Sequence, residues 1–157
     1  MSKTVVLGLD GSQDSTRAIP YAVEQAGGDG RIVVVHVREL LIGRAGGMPL
    51  VANEDEIEAA VRRQVEDMNA GDVSAELQVI SAVAGGPAHV IADVAARERA
   101  HVIVIGTRGH RQIASMIIGG VTHRLLHLTP CPVLAVPPAA SGSASESTDS
   151  EAVAARA

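Results

Sequence analysis

The chain has 157 residues, enough for one domain with a proper core and too few for two comfortable ones. Apolar residues make up 46% and aromatic residues 1%, a lone Tyr21, so the core must be Val, Ile, Leu and Ala, and a base-stacking nucleic-acid platform is disfavoured. A net charge of −5 argues in the same direction, against a general polyanion binder.

Taken in chain order, Val5 to Leu9 is a continuous apolar run, as expected of a parallel strand covered on both faces. Ala18, Ile19, Ala22, Val23 and Ala26 follow at helical spacing. Pro20 sits among them and predicts a kink or a late start. Ile32 to Val37 is a second buried strand. Residues 38–53 then form a long connection with Gly43, Gly46, Gly47 and Pro49 but also Leu40, Leu41, Ile42, Leu50 and Val51, which reads as a mobile loop acting as a lid or partner contact.

Asn53 and Glu56 have capping-box spacing, followed by an apolar face of Ile57, Ala60, Val61, Val65 and Met68. Ala75 to Val79 alternates and predicts a half-exposed edge strand. Pro87 suits the first turn of a helix carrying Val90, Ile91 and Val94. Val102 to Ile105 is another buried strand. Val121, Leu125 and Leu128 mark a last helix stopped by Pro130, and Val133 to Val136 closes the pattern. Five strands alternating with helices predict an α/β fold, a five-stranded parallel sheet that is doubly wound and Rossmann-like. Residues 1–138 are expected to form this domain and 139–157 a disordered acidic tail.

Ligands of open α/β sheets collect beyond the carboxyl ends of the strands, where strand order switches. Gly8-Leu9-Asp10-Gly11-Ser12 ends the first strand, Gly106-Thr107-Arg108-Gly109 ends the fourth, and Gly119-Gly120 precedes the last helix. Glycines admit close approach of a ligand to the backbone, and a helix N-terminus offers free N–H groups to an anion. Between Glu98 and Glu146 there is no Asp or Glu, while Arg99, Arg108, Arg111 and Arg124 are present. That balance lowers the repulsion a phosphate would meet. The bland alternative is that these glycines make turns and these arginines are solvated.

Gly106-x2-Gly109-x9-Gly119 resembles the Gly-x2-Gly-x9-Gly-(Ser/Thr) signature of ATP-binding universal stress proteins. Asp10-Gly11-Ser12 and Pro130-Cys131-Pro132-Val133-Leu134 also look like that family, and the likeness spans roughly residues 3–137. The resemblance implies strand order 3-2-1-4-5, adenine on the main chain near Val37, and ribose near Asp10, with Gly11 beside it among the cofactor-binding residues. It places phosphates among Gly106, Arg108, Gly109, Gly119, Gly120 and Val121. It further implies ATP with accompanying Mg2+, held as ligand rather than substrate, slow hydrolysis at most, an unidentified regulatory protein partner, and a homodimer through the last strand. The chain departs from the signature at Gly120, where the family has a hydroxyl residue; Thr122, two residues on, is badly placed to replace it. Two rivals follow: a nucleotide-free interaction protein of the same fold, and an ATP-dependent enzyme, against which the short chain counts.

Other candidates are weaker. Walker, GxGxxG, GxSxG and HExxH patterns are absent. His123 and His127 have i,i+4 spacing but no third ligand, so a solvated helix face is expected. His36 reads as a hydrogen-bonded core residue. Asp10 is of the type to act as a general base, although no nucleophile accompanies it, or to cap the turn into the first helix. Cys131 is expected to be a small buried apolar group, and a single cysteine fits a reducing cytoplasm. The first residues lack the h-region of a signal peptide, and no apolar run approaches the roughly 18 residues that span a bilayer, so a cytoplasmic protein without membrane insertion is expected.

Overall fold

In the computed structural model, residues 2–43, 46–49, 52–83, 86–109 and 118–139 are described. The elements run β1 (Thr4–Gly8), α1 (Gln13–Thr16), α2 (Ala18–Ala26), β2 (Arg31–Gly43), β3 (Gly46–Pro49), α3 (Glu54–Ala70), β4 (Ser74–Val83), α4 (Pro87–Arg97), β5 (Val102–Gly106), α5 (Gly120–Leu128) and β6 (Val133–Val136). Continuous aliphatic runs make β1 and β5 because both faces of the sheet are covered. Val5, Val6, Leu7, Ile103 and Val104 have no exposed surface at all. Alternate residues divide between two cores. Val5, Leu7, Ile32, Val34, Val102 and Val104 pack with α2 and α3, whereas Val6, Val33, Val35, Ile103 and Ile105 pack with α4 and α5. Helices on both faces make the fold doubly wound.

The parallel pairings join β4 to β2, β2 to β1, β1 to β5 and β5 to β6. Their order is the one expected, with the switch between β1 and β5. The sheet has six strands rather than five, because residues 38–43 and Gly46–Pro49 are strand where a long connection was expected. β2 continues to Gly43, and β3 returns antiparallel, pairing Leu40 with Pro49 and Gly43 with Gly46. Leu40 also pairs with Val83 of β4, so β3 must lie on the other edge of β2, the edge held lower down by β1. The hairpin therefore overhangs the carboxyl end of β1. Its apolar residues Leu41, Ile42 and Met48 are exposed.

Local chemistry sets the helix ends. The first helical segment breaks at Arg17, and Pro20 falls in the first turn of α2, the late start that its missing N–H allows. Pro87 opens α4 as expected. Asn53 caps α3 through its carbonyl, which accepts the N–H groups of Glu56 and Ile57. Its φ of −111° and ψ of 34° lie outside the extended region, its side chain caps nothing, and the expected capping box does not form. Ala60 and Leu128, read as buried-face positions, are half-buried and exposed respectively. Cys131 is half-buried rather than buried, beside the Thr129 hydroxyl. At the amino end of the sheet, a hydrogen bond from Arg31 at 2.5 Å holds the Glu98 carboxyl below its usual range.

Candidate functional site

The carboxyl ends of β1 and β5 carry two glycine-bearing loops, and packing fixes both. After β1, Gly11 takes a φ of +78°, a conformation that favours glycine. The Ser12 N–H donates to Asp10 Oδ1 at 2.9 Å, and the Asp10 N–H donates to Ser15 Oγ at 3.3 Å. Asp10 therefore closes a turn, while the cap of α1 is Ser12, whose Oγ accepts the Ser15 N–H.

The second loop lies against the first. A β-carbon at Gly106 would stand 2.9 Å from the Asp14 carbonyl oxygen, so only glycine lets β5 pass the backbone of α1. A β-carbon at Gly109 would overlap Asp10 Oδ2. At Gly119 it would stand 2.9 Å from the Thr107 carbonyl oxygen, which accepts the Gly119 N–H at 2.6 Å. Gly120 differs: among the described residues nothing lies within 4 Å of where its β-carbon would be. The first N–H groups of α5 have no partner within the helix itself, and Val121 beside them is half-buried.

Asp10, Gly11, Gly106, Arg108, Gly109, Gly119, Gly120 and Val121 are thereby gathered at one end of the sheet. Val37 lies one strand over. The Leu9 N–H donates to the Val35 carbonyl, so strand alternation turns the main-chain groups of Val37 to that same edge, in the stretch between the end of β1 and the start of β3. Thr107, which the spacing of the glycines did not single out, is buried, and its Oγ1 has no hydrogen-bond partner; nor has the buried Nε of the half-buried Arg108. The Thr122 hydroxyl is spent on the Gly106 carbonyl at 3.0 Å, so it is not a substitute for one at position 120. Arg111 lies outside the described residues.

Beneath this end of the sheet, His36 is 2% exposed and is hydrogen-bonded as expected. Its Nδ1 meets the Leu9 carbonyl at 2.8 Å and its Nε2 meets Glu54 Oε1 at 2.6 Å. Glu54 is itself 6% exposed. Nothing in its sequence context marked it out, because it begins a run of three acidic residues. His123 and His127 stack edge to face, 5.2 Å apart, on an exposed face of α5. Among the described residues no group of three or more His, Cys, Asp or Glu could hold a metal, and no helix is long and apolar enough to cross a membrane.

The model of the universal stress protein family matches residues 1–137. The chain belongs to the universal stress protein family. A universal stress protein of Thermus aquaticus, encoded in the 3′ region of a QAH/OAS sulfhydrylase, is 34% identical over 145 residues, covering 87% of this chain and 99% of the relative. Among solved structures, the universal stress protein UspA of Lactobacillus plantarum superposes with a TM-score of 0.70 at 18% identity, covering 86% of this chain and 97% of the other. A universal stress protein of Archaeoglobus fulgidus, solved in complex with dAMP, gives a TM-score of 0.61 at 24% identity, covering 87% and 98%. These likenesses fix the α/β class with its mostly parallel central sheet.

Proposed function

We propose that this universal stress protein binds ATP across the carboxyl ends of β1 and β5 and uses it as a ligand that alters partner choice. The observation that carries this reading is that no described residue lies within 4 Å of a β-carbon at Gly120, at the N-terminus of α5. The dAMP complex of the Archaeoglobus relative supports it by showing that a member of the family accepts an adenine nucleotide. The roles are those that the resemblance implies. Main-chain groups of Val37 take adenine, Asp10 faces the ribose with Gly11 beside it, and Gly106, Arg108, Gly109, Gly119, Gly120 and Val121 surround the phosphates. Mg2+ accompanies the nucleotide through its phosphates. The protein acts in the cytoplasm.

Gly120→Ser tests the reading. No described residue blocks the side chain, and a serine there donates a hydrogen bond to a charged oxygen, worth about 1.5–3 kcal/mol. ATP binding, measured by calorimetry, should tighten by about tenfold to a hundredfold. A variant that folds but binds no more tightly argues that no phosphate lies over α5.

The same reading includes a homodimer through β6. Its Val133, Leu134 and Ala135 are only half-buried, and Leu126 and Leu128 on the neighbouring α5 are exposed. An apolar edge strand of this kind favours pairing with its own copy. Light scattering at micromolar concentration should give twice the chain mass; a monomer there would exclude a stable dimer. The exposed Leu41, Ile42 and Met48 favour a second reading, a nucleotide-free interaction protein. Purified protein that carries no nucleotide and gives no heat with ATP would decide for that alternative.

A further inference from the structure

A buried hydroxyl without a partner is costly, so each one in a native protein calls for an explanation. Thr107 is 8% exposed, and its Oγ1 has neither solvent nor a protein partner. Its main chain is held on two sides. The N–H donates to the Val136 carbonyl at 2.8 Å, and the carbonyl accepts the Gly119 N–H at 2.6 Å, which fixes Thr107 against the N-cap of α5. Along β5, Ile103 and Ile105 face the α4–α5 layer while Val102 and Val104 face the other. Continuing that alternation puts the Thr107 side chain on the face of the sheet that α5 covers.

Among the described residues the neighbouring positions offer no competing hydroxyl. Gly119 has no room for a side chain, Gly120 has room but none is present, and the Thr122 hydroxyl is committed to Gly106. The Ser12 side chain caps α1. We infer that Thr107 supplies the side-chain hydroxyl of the phosphate site, in place of the one missing at position 120. The ligand group is a phosphoryl oxygen of an adenine nucleotide, so this inference rests on the nucleotide reading above. Phosphate binding then requires that rotation about χ1, between staggered positions, bring Oγ1 out of its enclosed place to the ligand.

Thr107→Val removes the hydroxyl and keeps the shape; Thr107→Ser keeps the hydroxyl. Thermal melts of the ligand-free proteins and calorimetry with ATP are the two measurements. Without ligand, Thr107→Val should melt at or above the wild-type temperature, because an unpartnered polar atom has gone. Its affinity for ATP should fall by about tenfold to a hundredfold, the worth of one hydrogen bond to a charged oxygen. Thr107→Ser should bind as wild type, and Gly120→Ser added to Thr107→Val should restore the loss. If Thr107→Val binds ATP as tightly as wild type, the Thr107 assignment is overturned and the nucleotide reading survives. A Thr107→Val protein that melts far lower or fails to fold also overturns it, since the hydroxyl then has a structural partner. If wild type itself gives no heat with ATP, the nucleotide reading on which the assignment rests has failed.

Discussion

Gly109→Asp should abolish ATP binding while the protein remains folded. Any β-carbon at position 109 runs into Asp10 Oδ2, so the Asp10 carboxylate must shift, and its Oδ1 bond to the Ser12 N–H at 2.9 Å is strained or lost. A carboxylate adds repulsion towards Asp10 and towards phosphate. Two like charges 4 Å apart at an effective dielectric of 20 repel by about 4 kcal/mol. Each tenfold in affinity corresponds to about 1.4 kcal/mol, so even half that repulsion joined to the steric conflict removes about a hundredfold or more. Gly109→Ala, which has the bulk without the charge, should fall between Asp and wild type. Circular dichroism melts establish that both variants fold, and calorimetry reads the affinity. Binding within about threefold of wild type in the Asp variant would remove this loop from the site.

The largest loss of stability is expected at Glu54. A carbonyl only accepts hydrogen bonds, so the Nδ1 facing Leu9 must carry a proton, and the Nε2 contact with Glu54 Oε1 at 2.6 Å needs a second proton between the two atoms. Glu54→Leu leaves His36, 2% exposed, without its partner. Removing one member of a buried pair typically costs about 3–5 kcal/mol, against a total stability of about 5–15 kcal/mol for a domain. Glu54→Gln should cost far less, about 1 kcal/mol, because a carboxamide N–H can donate to neutral Nε2. Denaturant midpoints, compared at equal m-values, measure both. A Leu variant within about 1 kcal/mol of wild type would mean that the pair gives no net support to the junction of β1, β2 and α3.

The sheet was legible wherever burial on both faces forces a continuous aliphatic run, as in β1, β5 and the first half of β2. The second half of β2 was not. Leu40, Leu41 and Ile42 carry strand chemistry, but the glycines that follow and Pro49 suggest a loop, and only the antiparallel partner β3 turns them into a hairpin. At the site, glycine spacing pointed to both loops because backbone packing admits no side chain at Gly106 or Gly119, and one at Gly109 would have to displace the Asp10 carboxylate. Spacing cannot weigh the residues between the glycines, which is why Thr107 went unread: its interest lies in a missing partner, a property of three-dimensional surroundings. Glu54 was hidden for a related reason. A glutamate at the start of a helix is ordinarily a solvated end charge, and only the fold brings His36 to it.

The placement of β1 also bears on how the chain assembles. Val5 pairs with Ile32 on one edge and with Val102 on the other, so one flank of the central strand is closed by a neighbouring part of the chain and the other by a segment much further along. Ring closure over the longer span costs more entropy and is slow to form. The contact between the Asp10 turn and the Gly109 loop depends on that distant closure, since each loop hangs from one of the two strands involved. A nascent chain that has built only β1, β2 and β4 therefore has most of one core, while its Asp10 turn still lacks the Gly109 loop. On the proposed reading, nucleotide binding therefore waits for the completed fold.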